Sequence, residues 1–244
     1  MSAAPLAGRR ALVTGAARRT GRALALALAS QGADVAIHYR HSAEEAATTA
    51  DAVRALGRNA VAVQADLTRA EEAQRAVDDV TRALGGLEIL VNNVGAIIWK
   101  DLPDTSTAEW HEGLDGTLNA TYHMCHAALP KMRGQQYGRV INVLDATADD
   151  LGPAVHATAY KIGKTGSLIL TRTLAVTEAE HGITVNALSP GTLEDSERKP
   201  PLETIPAGRY GRYEDLISTL VFLCSEEANY ITGNHWKVSG GYRI

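Results

Sequence analysis

The chain has 244 residues, of which 45% are hydrophobic and 21% charged. That suits one large domain with a well-buried core and excludes a disulfide mini-protein or a disordered tail. A formal net charge of -4 supplies no overall positive field, so neither nucleic acid nor an anionic membrane is expected as a partner.

In chain order, short apolar runs at 11–13, 34–37, 60–63, 87–91, 139–143, 183–187 and 235–238 predict strands. Alanine-rich stretches with helical period fall near 20–31, 42–57, 68–85, 105–133, 157–181 and 213–225. Near-continuous apolar strands, each followed by a helix, indicate a parallel sheet buried on both faces. The expected fold is therefore α/β: a single-domain, Rossmann-type, doubly wound parallel sheet of about seven strands, with helices on both faces, spanning 1–244. Residues 191–212, rich in Pro, Glu, Lys and Arg, have no clear period and form a candidate substrate loop. Cys125 and Cys224 lie in apolar stretches and read as packed thiols of a reducing compartment. The longest purely apolar run, 23–29, is far shorter than the roughly 20 residues of a membrane span. No secretory h-region is visible, so a cytoplasmic location is expected. No metal-ligand spacing stands out.

The first strand runs into Gly15-Ala-Ala-Arg-Arg-Thr-Gly21 and then a helix. A glycine-bearing turn at this place lets backbone amides and a helix N-terminus approach a pyrophosphate, as in dinucleotide-binding folds. The second strand ends His38-Tyr-Arg-His-Ser42 without an acid before Glu44. An NAD site would place a carboxylate there for the ribose 2′-hydroxyl. Arg40, the histidines, Ser42 and the Arg18-Arg19 pair instead suit a 2′-phosphate, favouring NADPH. Asp66 and Leu67, after the third strand, stand where an adenine edge would lie.

These residues, with Asn92-Asn-Val-Gly95, Tyr160-Lys-Ile-Gly-Lys164 and Ser189-Pro-Gly-Thr192, resemble the short-chain dehydrogenase/reductase family over essentially the whole chain. Arg19 in place of the usual middle glycine, His38-Tyr39 and Ile141-Asn-Val-Leu-Asp-Ala146 are similar to the pteridine reductase branch, which implies NADPH. The resemblance places Gly15, Arg18, Arg19, Thr20 and Gly21 at the pyrophosphate and His38, Tyr39, Arg40 and Ser42 at the 2′-phosphate end. It puts Asp66 and Leu67 at adenine, Asn93 and Gly95 along the cofactor, and Pro190, Gly191 and Thr192 near the nicotinamide. It also implies a homotetramer built through the 105–133 and 157–181 helices.

Tyr160 and Lys164 are one helical turn apart on one face. An ammonium beside the phenol is expected to lower its pKa so that Tyr160 can donate a proton, while Lys164 also holds the ribose. The family's serine at the end of the fifth strand has two candidate counterparts, Asp145 by strand registration and Thr147 by counting thirteen residues back from Tyr160; Asp145 is preferred. An ionised carboxylate only accepts hydrogen bonds, so it suits an N–H-bearing or iminium substrate better than a ketone. The primary expectation is thus hydride transfer from NADPH to a pterin-like or cyclic C=N bond. A carbonyl reductase of the 3-oxoacyl type and a non-catalytic NADP-sensing regulator are the alternatives. Thr117 replaces the family asparagine that anchors a relay water. Ile97, Trp99, Asp145 and His156 are expected to shape the pocket for a small-molecule substrate.

Overall fold

Each predicted apolar run becomes a strand in the computed structural model, which describes residues 4–243. The strands are β1 (Arg10–Val13), β2 (Asp34–Tyr39), β3 (Ala60–Gln64), β4 (Ile89–Asn92), β5 (Gly138–Val143), β6 (Ile183–Pro190) and β7 (His235–Val238). They pair in parallel in the order β3-β2-β1-β4-β5-β6-β7. The helices are α1 (Arg19–Ser30), α2 (Ala43–Ala55), α3 (Ala70–Leu84), α4 (Thr107–Leu114), α5 (Ala120–Gln135), α6 (Thr158–Thr177) and α7 (Tyr213–Cys224).

Because successive strand side chains point to opposite faces, two cores form. Ala11, Val13, Val35 and Ile37 pack with apolar residues of α1, α2 and α7. Leu12, Ala36, Leu90 and Val140 pack with those of α3 and α5. Cys125 and Cys224 are buried and unpaired, and burial pushes both thiols up to about 12. Among the described residues no helix is long and apolar enough to cross a membrane.

Most element ends shift by a few residues from the sequence expectation, and two differences stand out. β4 begins at Ile89 rather than Leu87; just ahead of it the Glu88 backbone still bonds to Arg10 and Arg139, and the Arg10 backbone N–H and Nε both donate to Glu88 Oε2, at 2.8 and 2.7 Å. The single helix expected over 105–133 is three pieces, with a π-helical turn at Asp115–Asn119 between α4 and α5. There the Thr117 hydroxyl accepts the Ala96 N–H at 3.1 Å, and a side chain at Gly116 would collide with Ala96. The widened turn thus seats the helix against the loop after β4.

Strand order reverses between β1 and β4: the chain winds outward from β1 to β3, then returns to the other side of β1. The loops that follow these two strands therefore diverge, and a crevice opens beyond their carboxyl ends, which is where open α/β sheets bind ligands.

Candidate active site

The turn after β1 is held from three sides. The Thr14 hydroxyl accepts the N–H groups of Asn93 and Val94 at 2.8 and 3.2 Å. Asn93 Nδ2 donates to the Thr14 carbonyl at 3.1 Å. A Cβ at Gly21 would run into the Gly15 carbonyl and lie 2.8 Å from Asn93 Nδ2. Gly21 is what lets α1 begin this close to β1, aiming its N-terminus at the crevice. Arg19 occupies the position of the usual middle glycine and carries a φ of 53°, a left-handed conformation that a side chain adopts only at some cost. Backbone amides at a helix start, Thr20 and the exposed Arg18 and Arg19 make a donor set that fits a pyrophosphate.

At the end of β2, Arg40 is exposed and paired with Asp66 at 2.8 Å. Tyr39 and Ser42 lie beside it, part-exposed, and Leu67 is buried behind Asp66. This group fits a phosphorylated adenosine end. His38 does not belong to it. Its side chain is 3% exposed, Nδ1 accepts the Gly15 N–H at 3.0 Å, and Nε2 faces the Ala65 carbonyl at 3.1 Å. These partners require a neutral ring with its proton on Nε2. Burial above all pulls its pKa down to about 4, so His38 braces the glycine turn and carries no positive charge to a phosphate.

On α6, Lys164 Nζ donates to the Val143 carbonyl at 2.6 Å and lies 5.5 Å from the centre of the Tyr160 ring. Both side chains close against Gly95, where an added Cβ would sit 3.1 Å from the Tyr160 ring and 3.3 Å from Lys164 Nζ. The expected depression of the tyrosine pKa by the lysine is corrected by this arrangement. Tyr160 keeps part of its area open but lies deep among protein atoms, and burial, then the charge of Asp145, raises its hydroxyl well above the ordinary range. Burial pulls Lys164 down to about 8, against the opposing pull of Asp145. Near neutrality the phenol is thus a proton holder and the lysine still largely a cation.

Asp145 and Thr147 prove to be one unit. Asp145 Oδ1 accepts both the N–H and the hydroxyl of Thr147, at 2.7 and 2.6 Å. The Thr147 hydroxyl proton is committed there and is not available to a substrate oxygen. Thr117, fully buried, spends its hydroxyl on Ala96, and its carbonyl accepts the Thr121 hydroxyl at 2.8 Å.

A cavity of about 630 Å³ opens in front of these groups. Gly95, Ile97, Trp99, Asp145 and Thr147 form one side, and Pro190, Gly191 and Thr192 the floor; Ser196, Glu197 and Arg198 close it, with Arg19 and Tyr242 at its edges. A wider groove of about 720 Å³ runs along β3 past Arg40 and Asp66 and shares no lining residue with this cavity; the chemistry belongs to the smaller cavity, which holds Gly95 and Asp145. His156 does not line the cavity. It packs at a tilt of 35° against Trp99 with ring centres 5.2 Å apart and pairs with Asp101, bracing the indole. Of the 191–212 stretch only the first part, through Arg198, faces the cavity. The stretch is tied down by Glu194 N–H to the Gly211 carbonyl at 2.9 Å and by Arg19 to Glu197 at 3.0 Å. Ser196, Glu197, Arg198 and Tyr242 were not singled out from the sequence, since no motif marks them.

A family model described as enoyl-(acyl carrier protein) reductase matches residues 15–243. The chain is 36% identical over 239 residues to the 3-oxoacyl-(acyl-carrier-protein) reductase FabG of Staphylococcus aureus, covering 95% of this chain and 96% of that protein. A short-chain dehydrogenase of Burkholderia cenocepacia, solved in complex with NADP, superimposes with a TM-score of 0.89 at 33% identity, covering 97% of this chain and 98% of the other. A gluconate 5-dehydrogenase of the same species, solved with NADP and tartrate, gives 0.90 at 29% identity over 98% and 96%.

Proposed function

The chain belongs to the short-chain dehydrogenase/reductase family, and from that premise we propose that it is an NADPH-dependent reductase of a small carbonyl substrate. The observation that carries this reading is the packing of Tyr160 and Lys164 together against Gly95, which lines the cavity. Gly15, Arg18, Arg19, Thr20 and Gly21 would hold the pyrophosphate. Tyr39, Arg40 and Ser42 would hold the 2′-phosphate, Asp66 and Leu67 the adenine. Asn93, Gly95, Pro190, Gly191 and Thr192 would line the nicotinamide half. NADPH bound in this crevice supplies a hydride.

Tyr160 then gives its proton to the substrate oxygen, which a phenol held in its neutral form is suited to do. The Lys164 cation beside it stabilises the phenolate left behind and is placed to reach the ribose hydroxyls. Asp145 is an obstacle to carbonyl reduction only if its full charge meets a developing alkoxide. Two donors from Thr147 spread that charge onto Oδ1, and protonation by Tyr160 keeps an alkoxide from accumulating. The 3-oxoacyl reductase relative supports this reading over the pteridine reductase branch. Reduction of a C=N bond stays as the second reading because Asp145 presents a carboxylate at the place where an iminium would be favoured. An intact Tyr160–Lys164 pair argues against a non-catalytic regulator. Assembly as a homotetramer through α5 and α6, whose surfaces expose Tyr122, Ile169 and Val176, is part of the same proposal.

The test is NADPH oxidation with a β-keto ester, a dihydropterin and a cyclic imine side by side. The keto ester should be turned over, with loss of about 100- to 10,000-fold in kcat in Tyr160→Phe and retention of turnover in Asp145→Asn. Preference for the imine or pterin, abolished in Asp145→Asn, would replace carbonyl reduction by the second reading.

A further inference from the structure

The side chains around the cavity do not balance their charges evenly. Arg19 is neutralised by Glu197 at 3.0 Å and Asp195 at 3.6 Å. Further along the same loop, Arg209 is paired with Asp215 at 2.6 Å and Arg212 with Glu194 at 3.0 Å. Arg198 is different. It lines the cavity, its guanidinium carbon lies 4.7 Å from the centre of the Trp99 ring, and among the described residues it meets no carboxylate within ion-pair distance. Nor does any of its five N–H groups have a protein acceptor among them. Trp99 is itself held by His156, so the cation rests on a fixed aromatic surface. A guanidinium over an indole is attracted to it and keeps its N–H edge free for a planar oxyanion. The remaining unneutralised charge facing the cavity is Asp145, beside Tyr160. The lining is therefore negative at Asp145 and positive where Arg198 closes the cavity.

We propose that Arg198, seated on Trp99, is a specificity residue that selects substrates bearing a carboxylate and orients them with the carboxylate away from Tyr160. The proposal rests on the carbonyl reading above for what is reduced, but the anion site is independent of turnover. A monoanionic carboxylate fits better than a dianionic phosphate, because Asp145 lines the same cavity and repulsion grows with the ligand's charge. An oxo acid would thus be drawn to Arg198 by its acid and turned so that Asp145 repels that acid from the reacting end. A neutral ester of the same length lacks both effects.

The experiment uses the NADP⁺-loaded protein, which cannot reduce a ketone, and measures binding by calorimetry. The probes are 4-oxopentanoate and 7-oxooctanoate, each beside its methyl ester, because the two lengths cover a shallow and a deep approach. At least one acid should bind roughly five- to tenfold tighter than its ester, the size of a part-exposed charge-assisted hydrogen bond. Arg198→Gln should erase that ratio while leaving the ester's Kd unchanged, and Arg198→Lys should restore part of it. An acid-to-ester ratio of one in the unaltered protein, or a ratio that survives in Arg198→Gln, overturns the proposal. NADPH oxidation by the esters is measured in parallel. If it fails while the ratio still collapses in Arg198→Gln, the carbonyl reading falls and the carboxylate site stands. If the esters are turned over while the ratio is unchanged in Arg198→Gln, the carbonyl reading stands and the carboxylate site falls.

Discussion

Acidification should loosen the dinucleotide cradle through His38 before it unfolds the rest of the sheet. In the folded chain, both ring nitrogens are used, one accepting from Gly15 and the other facing the Ala65 carbonyl. A second proton would turn the Nδ1 acceptor into a donor aimed at an N–H. The folded pKa of about 4 lies below the ordinary 6.5, so between these values the unfolded chain binds the proton and the folded chain does not. Stability contributed by His38 is complete above pH 6.5 and is lost as the pH falls through 4. Two and a half decades at about 1.4 kcal/mol each come to about 3 kcal/mol. At roughly 2–4 °C per kcal/mol for a chain of this size, Tm should fall by about 6–12 °C on this account alone. Other groups titrate in the same range, so the useful quantity is a difference: the Tm of the unaltered protein and of His38→Gln, each at pH 7 and pH 4. The variant should be less stable at pH 7 and should show a pH dependence flatter by about that amount. Parallel pH dependences, or His38 ring resonances that titrate near 6.5 in the native protein, would refute the reasoning.

Two further outcomes follow from the same geometry. Lys164, pulled down to about 8 from 10.5 by burial, should give the pH–rate profile of NADPH oxidation an alkaline limb near 8. Over the window from 8 to 10.5 the unfolded chain binds the extra proton, so stability against urea should rise while activity falls, and a joint decline of both would count against the assignment. Gly21→Ala places a Cβ against the Gly15 carbonyl and should cost on the order of 1–3 kcal/mol together with most of the NADPH affinity, read by urea unfolding and by fluorescence titration. The same substitution at Gly134, where nothing lies within 4 Å, should leave NADPH affinity unchanged.

The sheet and its helices were legible because a parallel strand buried on both faces must be apolar throughout, a pattern that survives without any knowledge of partners. Glycine, tyrosine and lysine positions of the site were legible for a related reason: Gly15, Asn93, Gly95 and Tyr160 belong to segments that follow strands, and the switch in strand order brings those segments together. What escaped depended on contacts between distant segments. His38 reads as a strand-end cation in sequence, and only Gly15 and the Ala65 carbonyl, 23 and 27 residues away, make it neutral. His156 similarly ends behind Trp99 rather than in the cavity. The choice between Asp145 and Thr147 had no answer in spacing because the two are hydrogen-bonded to each other. The π-helical turn at Thr117 follows from an N–H on Ala96 that periodicity cannot register. Arg198 carries no local signature; its place is set by the loop's ties to Gly211 and Arg19.

The neighbouring positions of β1 and β4 also have a kinetic meaning. Arg10 and Glu88 meet across 78 residues, so two complete strand–helix units must be threaded before the strands that bound the crevice can pair. Closing so long a segment costs chain entropy in advance of any reward, and sheets built on such pairings assemble slowly. The pocket for the dinucleotide therefore comes into existence late, after most of the apolar surface has already been buried. NADPH should accordingly leave the folding rate nearly unchanged and act on the reverse step, holding the finished sheet closed and lengthening the lifetime of the native chain.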